Sequence, residues 1–356
     1  MGLKILHTAD WHMGSPFGSV SPEQREFLRR EQSLLPGKIA EVCRREGCHL
    51  VLLAGDIFDG QPHGQTVDLV RDALAECRVP VLVSPGNHDC LIPGSPWLEE
   101  AWPENVHIFT GLPESVVLPE LDCRVYGAGY RSMDCPPLLE EFRAEGNQRW
   151  CIAVLHGDPV VKHSPCCPVT ASQVRDSGLD YLALGHIHKA GHFHAGETLC
   201  AWPGCPMGRG WDETGEKGVS IVTLEDGVSV RQIPLDVPRF YETEAVVEGD
   251  AAAALEGVLP PAGSRDFYRI TLTGWGEANP EELKRQFAHV PNLTLRSRLR
   301  QRADLWADLD EDTLEGTYFR LLREKLDAAA PEGKDRILLA AEISRKLLAG
   351  GEVTLL

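Results

Sequence analysis

Five short polar clusters, all before residue 190, carry the residue types that bind divalent cations. They are Asp10-Trp11-His12, Gly55-Asp56-Ile57-Phe58-Asp59, Gly86-Asn87-His88-Asp89, His156-Gly157 and Gly185-His186-Ile187-His188. Imidazole, carboxylate and amide oxygen together make a mixed nitrogen and oxygen shell, which suits manganese or iron better than calcium. Two such cations about 3.5–4 Å apart can clamp a phosphoryl group from both sides. A carboxylate shared between them offsets their mutual repulsion. Singly the clusters are weak signals. Their order, each directly behind an apolar run, is the strong one.

Those apolar runs are the elements that must position the clusters. They cover residues 3–7, 50–54, 79–83, 151–155 and 181–184, each mostly Val, Ile, Leu or Ala. Runs of this length and composition read as strands buried on both faces. A long helical stretch over 22–46 separates the first two, and another over 67–77 separates the next two. This βαβ alternation predicts an α/β fold with a layered sheet, whose ligand site forms at the carboxyl ends of the strands.

The stretch 183–196 raises a choice, because Gly-His-x-His occurs in it twice. His186 and His188 follow an apolar strand directly, as the other clusters do. His192 and His194 instead fall in a stretch that pairs plausibly with residues 198–202 across a Gly-Glu turn, which removes them from the strand ends. The first pair is the expected metal-binding one.

Composition narrows the class. The chain has 356 residues, 43% hydrophobic and 25% charged, enough for one large and one smaller soluble domain. The first apolar run soon meets Asp10 and His12, so it reads as a strand and not as a signal peptide. No apolar stretch approaches the roughly 20 residues that span a bilayer. Eleven cysteines, with no Cys-x-x-Cys, fit reduced thiols better than a disulfide framework or a zinc ribbon. A cytoplasmic protein is expected. Net charge of -18 argues against binding nucleic acid through bulk electrostatics, so any such surface must be a local basic patch.

All the cysteines lie at or before Cys205, and twelve of the thirteen histidines at or before His194. The sequence 203–218 is a Gly/Pro-rich loop, short strands follow near 219–224 and 228–233, and 234–242 reads as a connector. The expected domains are 1–238 and 239–356. In the second, strands over 241–247, 267–273 and 293–301 alternate with helices over 251–258 and 280–289. Two helices, about 313–329 and 332–349, close the chain.

The five clusters resemble the calcineurin-like metallophosphoesterase superfamily. Within it, "HTADWHMGSPF", "LLAGDIFDG", "SPGNHD" and "LGHIHKA" are similar to the SbcD-type DNA repair exonucleases, and "PGCPMGRGWDETGEKG" to their YhaO-like branch. The resemblance implies a layered β-sandwich flanked by helices, with a smaller C-terminal α+β capping domain. It implies one metal held by Asp10, His12, Asp56 and His188, and a second held by Asp56, Asn87, His156 and His186, with Asp56 bridging. Manganese is the expected ion, with magnesium or iron as alternatives. His88 would sit beside the scissile phosphate, stabilising its charge or protonating the leaving oxygen, and Asp59 would orient His88. The implied partners are DNA, an SbcC-like coiled-coil ATPase and a second copy of the chain. No ligand position is substituted, so an active enzyme is expected.

Other residues invite blander readings. His7 lies inside a strand and reads as a satisfied core residue. His49, His63, His107, His163 and His289 lack such loop context and read as surface or packing residues. Cys90 reads as a small apolar filler. Trp202, Arg209 and Trp211 could stack on a base and touch a phosphate, or simply anchor their loop. Arg296, Arg298, Arg300 and Arg302 would share one face of a strand at intervals of about 6.6 Å, close to phosphate spacing. The sequence slightly favours a solvated face paired with Asp304, Asp308 and Asp310. The apolar positions of the closing helices, from Leu314 to Leu326 and from Ile337 to Leu348, read as stripes packed on their own domain.

The leading function is a two-metal nuclease acting on DNA ends. A phosphatase or nucleotide phosphodiesterase is the second reading. Against it, protein phosphatases of this superfamily carry Arg where this chain has Gly60, secreted nucleotidases need a signal peptide, and neither accounts for 240–356. A scaffold that lost catalysis is the third, and the complete ligand set argues against it.

Overall fold

The computed structural model describes residues 2–62, 64–111, 113–260, 263–300, 305–306, 309, 312–348 and 350. His63, Arg302, Asp304, Asp308 and Asp310 lie outside the described residues. The chain divides into two compact units, Met1–Glu242 with Arg265–Tyr268, and Thr243–Ser264 with Arg269–Leu356.

The first unit begins with β1 (Leu3–Thr8), α1 (Pro22–Glu46), β2 (Leu50–Leu53), α2 (Gln65–Glu76), β3 (Val81–Val83), α3 (Pro96–Glu99) and β4 (Val106–Ile108). It continues through β5 (Glu114–Leu118), β6 (Cys123–Gly127), β7 (Trp150–His156), α4 (Ala171–Asp176) and β8 (Tyr181–Gly185). It ends with β9 (Gly191–Ala195), β10 (Thr198–Trp202), β11 (Gly218–Leu224) and β12 (Val228–Pro234). Two six-stranded sheets result, in the orders β12-β11-β1-β2-β3-β4 and β5-β6-β7-β8-β10-β9. β1 to β4 run parallel, as do β6, β7, β8 and β10.

The continuous apolar runs now have a cause. Ile5, Leu50, Leu52 and Leu82 meet Ile152, Val154, Tyr181 and Ala183 in the core between the two sheets. Their neighbours Leu6, Val51, Leu53, Val81 and Val83 point the other way, onto Leu28, Leu35 and Ile39 of α1 and Val67 and Val70 of α2. Leu155, Leu182 and Leu184 pack outward from the second sheet, with Val174 of α4. Each central strand is thus buried on both faces, and alternation disappears from its sequence. The arrangement is a β-sandwich flanked by helices.

Local signals set the element ends. Ser21 accepts a hydrogen bond from the Gln24 backbone and Gln24 answers to the Ser21 backbone, a capping box that starts α1. Gly47, in the left-handed region at φ 63°, ends it. β3 begins at Val81 and not at residue 79. β9 and β10 form the antiparallel hairpin expected of 192–202, with His192 opposite Ala201 and His194 opposite Leu199.

The second unit contains most of a three-stranded sheet, β13 (Phe240–Glu248), β14 (Phe267–Trp275) and β15 (Leu293–Ser297), in that order. Helices α5 (Ala251–Glu256) and α6 (Pro280–Gln286) lie between them in sequence, and α7 (Leu314–Ala328) and α8 (Pro331–Leu348) follow. Val247, Leu255, Ile270, Leu272, Leu283, Phe287 and Leu293 are buried. Regular pairing of β15 stops at Ser297, short of the expected strand to 301. Beside it, Gly274 near the end of β14 and Gly276 just past it both adopt positive φ, where glycine is favoured. The chain still runs alongside, with Arg298 and Arg300 donating backbone hydrogen bonds to Leu272 and Gly274.

The closing helices correct one expectation. Their fully buried contacts are Phe319 and Ala341, together with Leu305. Leu314, at 90% exposure, and Leu321, Leu347 and Leu348 face solvent. A helix in a two-helix pair has one narrow contact seam, and the apolar positions here are too widely spread around α7 and α8 for that seam to cover. Among the described residues no helix is long and apolar enough to cross a membrane. All eleven cysteines are free thiols.

Candidate metal centre

The five polar clusters converge because they leave the carboxyl ends of neighbouring parallel strands. Asp10 and His12 follow β1, Asp56 follows β2, Asn87 and His88 follow β3, His156 ends β7, and His186 and His188 follow β8. Convergence strains the backbone. Asp10, His12, Asp56 and His186 all adopt positive φ, between 46° and 86°, a region that costs a residue with a Cβ about 1–3 kcal/mol each. Close approach is equally demanding: a Cβ on Gly86 would overlap the Asp56 carboxylate, and one on Gly55 would run into the His156 ring.

Three groups of ligand atoms lie within 4.8 Å of one another: Asp10 with His12 and His188, His12 with Asp56 and His88, and Asp10 with Asp56 and His156. Asp56 Oδ2 stands 3.7 Å from His12 Nε2 and 3.4 Å from His156 Nε2. His188 Nε2 lies 3.2 Å from His12 Nε2 and 3.8 Å from Asp10 Oδ1. Asn87 Oδ1 is 2.9 Å from His156 Nε2. His186 packs edge-on to His156, its Nε2 3.7 Å from Asp158. His192 and His194 are exposed on the edge strand β9 and join none of these groups.

These residues fit divalent cations. The Nε2 atom of His12 faces Asp56 and His188, while its Nδ1 is buried with no hydrogen-bond partner among the described residues, so that no protein hydrogen bond opposes ligation by this ring. Burial, then the nearby Arg209 charge, pushes the His12 imidazole down to about 2. Burial likewise lowers His156 and His186 to about 4 each. Neutral imidazole is the form that ligates metal. Burial raises the Asp10 carboxyl to about 7, against the opposing His188 charge, and raises Asp56 as well. A cation between them would supply the compensating charge that these buried carboxylates lack.

His88 differs from the others in being open, its side chain 41% exposed. Its Nδ1 sits 3.1 Å from Asp59 Oδ1, and that bond, outweighing burial, holds the imidazole above its usual range. Its backbone N–H donates to Asp56 Oδ1 at 2.9 Å.

Three carboxylates take roles that the sequence did not assign: Asp89, which closes the third cluster, and Asp158 and Glu213, which belong to none of the five. Asp89 accepts hydrogen bonds from the backbone of Gly86, Asp56, Ile57 and Phe58 and from the Trp97 indole, at 2.7–3.3 Å. It therefore ties the second and third loops together. Asp158 accepts from Val160 and Val161 and faces His186. Glu213, in the Gly/Pro loop, receives the His188 Nδ1 at 2.7 Å. Burial would raise the Glu213 carboxyl, but its bonds with His188 and Arg209 outweigh that and hold it well below the carboxylate range. Asp89 stood inside the third cluster and Asp158 directly after the fourth. Nothing in the spacing marks Glu213, which reaches His188 only through the fold.

The remaining candidates divide. Arg209 forks onto Glu213 beside His188. Trp202 ends β10 and donates to Lys189 O, and Trp211, in the Gly/Pro loop, packs edge-on to Phe240, so both serve local packing. Arg296, Arg298 and Arg300 are exposed at alternate positions of the second unit, and Arg300 lies over the Trp275 ring. His7 is a core residue, bonded to Tyr181 Oη at 2.7 Å and Leu184 O at 3.0 Å. Cys90 is a buried filler.

Comparison with known proteins places this geometry. The Calcineurin-like phosphoesterase family pattern matches residues 3–190. The uncharacterized metallophosphoesterase YhaO of Bacillus subtilis is 35% identical over 243 residues, 63% of this chain and 58% of YhaO, so the match spans little more than half of that relative. The SbcD component of nuclease SbcCD from Staphylococcus epidermidis is 29% identical over 315 residues, 76% of this chain and 79% of that one. Its Escherichia coli K12 counterpart is 26% identical over 308 residues, covering 70% and 72%. With more than half of its length inside the family pattern and the strand-end carboxylates and imidazoles assembled as above, the chain belongs to the calcineurin-like phosphoesterases and is a metal-dependent phosphoesterase.

Proposed function

We propose that the chain is a two-metal phosphodiesterase of the SbcD type, a nuclease acting on DNA ends in repair with an SbcC-like coiled-coil ATPase. The observation that carries this reading is the reach of the similarity to SbcD proteins. It covers 76% of the chain, well beyond the phosphoesterase region, and so takes in part of what a phosphatase would not need.

Asp10, His12, Asp56 and His188 would hold one cation, and Asp56, Asn87, His156 and His186 the other. Manganese suits this nitrogen and oxygen set, with magnesium or iron as alternatives. Bound there, the cations supply Lewis-acid polarisation of a phosphoryl oxygen and an activated nucleophile at neutral pH. The chain's own groups do the rest. Asp59 fixes the His88 ring, and His88 donates a hydrogen bond to the phosphate or a proton to the departing oxygen. Asp89 keeps the loops of Asp56 and His88 in register. Residues 239–356 act as a capping domain that meets DNA or the partner, with Arg296, Arg298, Arg300 and Arg302 along backbone phosphates. The setting is the cytoplasm.

The test is hydrolysis with manganese of linear DNA, circular DNA and a chromogenic phosphodiester. Linear DNA should be degraded and circular DNA spared. Activity confined to the small ester, even with an SbcC-like ATPase added, would overturn the nuclease reading.

A further inference from the structure

We propose that Glu213 is a positioning residue of the metal centre, holding His188 in its ligating tautomer and Arg209 as a donor for a substrate phosphate oxygen. This rests on the two-metal reading above and extends it to a loop that carries none of the five clusters.

Glu213 is 4% exposed, yet its carboxylate is fully engaged. Oε1 receives His188 Nδ1 at 2.7 Å, and Arg209 Nε and Nη2 at 3.0 and 2.6 Å. Oε2 receives the Arg209 backbone N–H at 2.7 Å and the Cys205 thiol at 3.6 Å. An ionised carboxylate only accepts, and its 2.7 Å contact with Nδ1 is shorter than the 3.1 Å approach of Arg209 Nη2 to the same atom, so the His188 proton is assigned to Nδ1. The lone pair is then left on Nε2, the atom that faces Asp10 and His12. A carboxylate behind a ligating histidine fixes ring orientation and raises ligand basicity.

The same carboxylate sets Arg209. Its Nε and Nη2 are engaged by Glu213, while Nη1 has no protein partner among the described residues. The side chain keeps 21% of its surface open. Its Nη2 lies 3.1 Å from His188 Nδ1, which places the guanidinium at the rim of the metal centre. A guanidinium edge with unengaged N–H groups there matches a non-bridging phosphate oxygen. If Glu213 merely pinned its loop, removing its charge would leave metal affinity untouched.

The experiment titrates the metal-stripped full-length chain with Mn2+ by calorimetry. Wild type should show two sites. Glu213→Gln should weaken one of them about 10–100-fold and spare the other, while Asp212→Asn, an exposed neighbour, should match wild type. Glu213→Asp, which keeps the charge but draws the oxygens back from Nδ1, should give the same one-site loss and serves if the Gln variant melts early. In parallel, Arg209→Gln should raise the inorganic phosphate concentration needed for half inhibition about 10-fold, with Arg209→Lys recovering part of it. Wild-type Mn2+ isotherms in both Glu213 variants would overturn the proposal alone. A wild-type chain that binds no Mn2+ would instead overturn the two-metal reading beneath it.

Discussion

The two units of this chain offer polar side chains in opposite ways. In the first, Asp10, His12, Asp56 and His156 are buried at the ends of three strands, β1, β2 and β7, and each is useful only because the others arrive. In the second, Arg296, Arg298 and Arg300 stand exposed along one stretch of chain, and their arrangement needs nothing but a local extended backbone. Convergence gives strong interactions, because charges in a dry site are poorly screened, and it costs backbone strain and buried polar atoms. Display costs almost nothing, and each exposed charge is screened by salt. The first kind of site should therefore respond steeply to single substitutions and the second only weakly and in a salt-dependent manner.

That contrast can be broken at several points. The largest effect is expected at His88. His88→Ala should retain bound metal but lose about 10²–10⁴ in kcat, the usual loss for a positioned acid or base; wild-type turnover of a chromogenic phosphodiester would remove His88 from the chemistry.

Asp89→Ala comes next. It strands four backbone donors in two loops and the Trp97 indole of α3, and each orphaned buried donor costs about 1–3 kcal/mol, so a loss of at least about 3 kcal/mol is expected in denaturant unfolding. A change below about 1 kcal/mol would mean that water replaces the carboxylate at little cost.

Reversing charge at Arg296 and Arg298 together should weaken DNA binding and flatten the dependence of log K on log salt by about 2. Hydrolysis of a small phosphodiester should not change. An unaltered salt slope would reduce the stripe to a solvated sheet face.

The smallest effect is expected at the second Gly-His-x-His copy. His192→Ala with His194→Ala should leave metal stoichiometry and turnover as they are, because both side chains face outward from β9. A lost metal ion in that double variant would reverse the choice between the two copies.

Much of the first unit could be read from the chain. The capping box at Ser21, Gly47 at the far end, and the runs of Val, Ile and Leu locate α1 and the central strands, because these signals are local or arise from burial on both faces. The strands β4, β5 and β6 went unread. All three are short; β4 and β5 are partly exposed and lie at sheet edges, while β6 is buried but breaks its apolar run with Arg124, and no polar cluster follows any of them. In the second unit the alternate spacing of the arginines could be read, but not the early end of β15 at Ser297. The apolar stripes of α7 and α8 also misled, since periodicity reports a face and not what covers it.

For the centre itself, the sequence determined which residue types stand behind which strands, and hence the chemistry available. It could do so because each cluster is contiguous and each strand is announced by its own burial. Only the tertiary structure decided that Asp89 joins two loops and that His186 faces Asp158. It alone decided that Glu213, 25 residues beyond His188, closes on its Nδ1. Those partnerships are distances across space between segments with no shared periodicity, and such distances exist only once the sheets have packed.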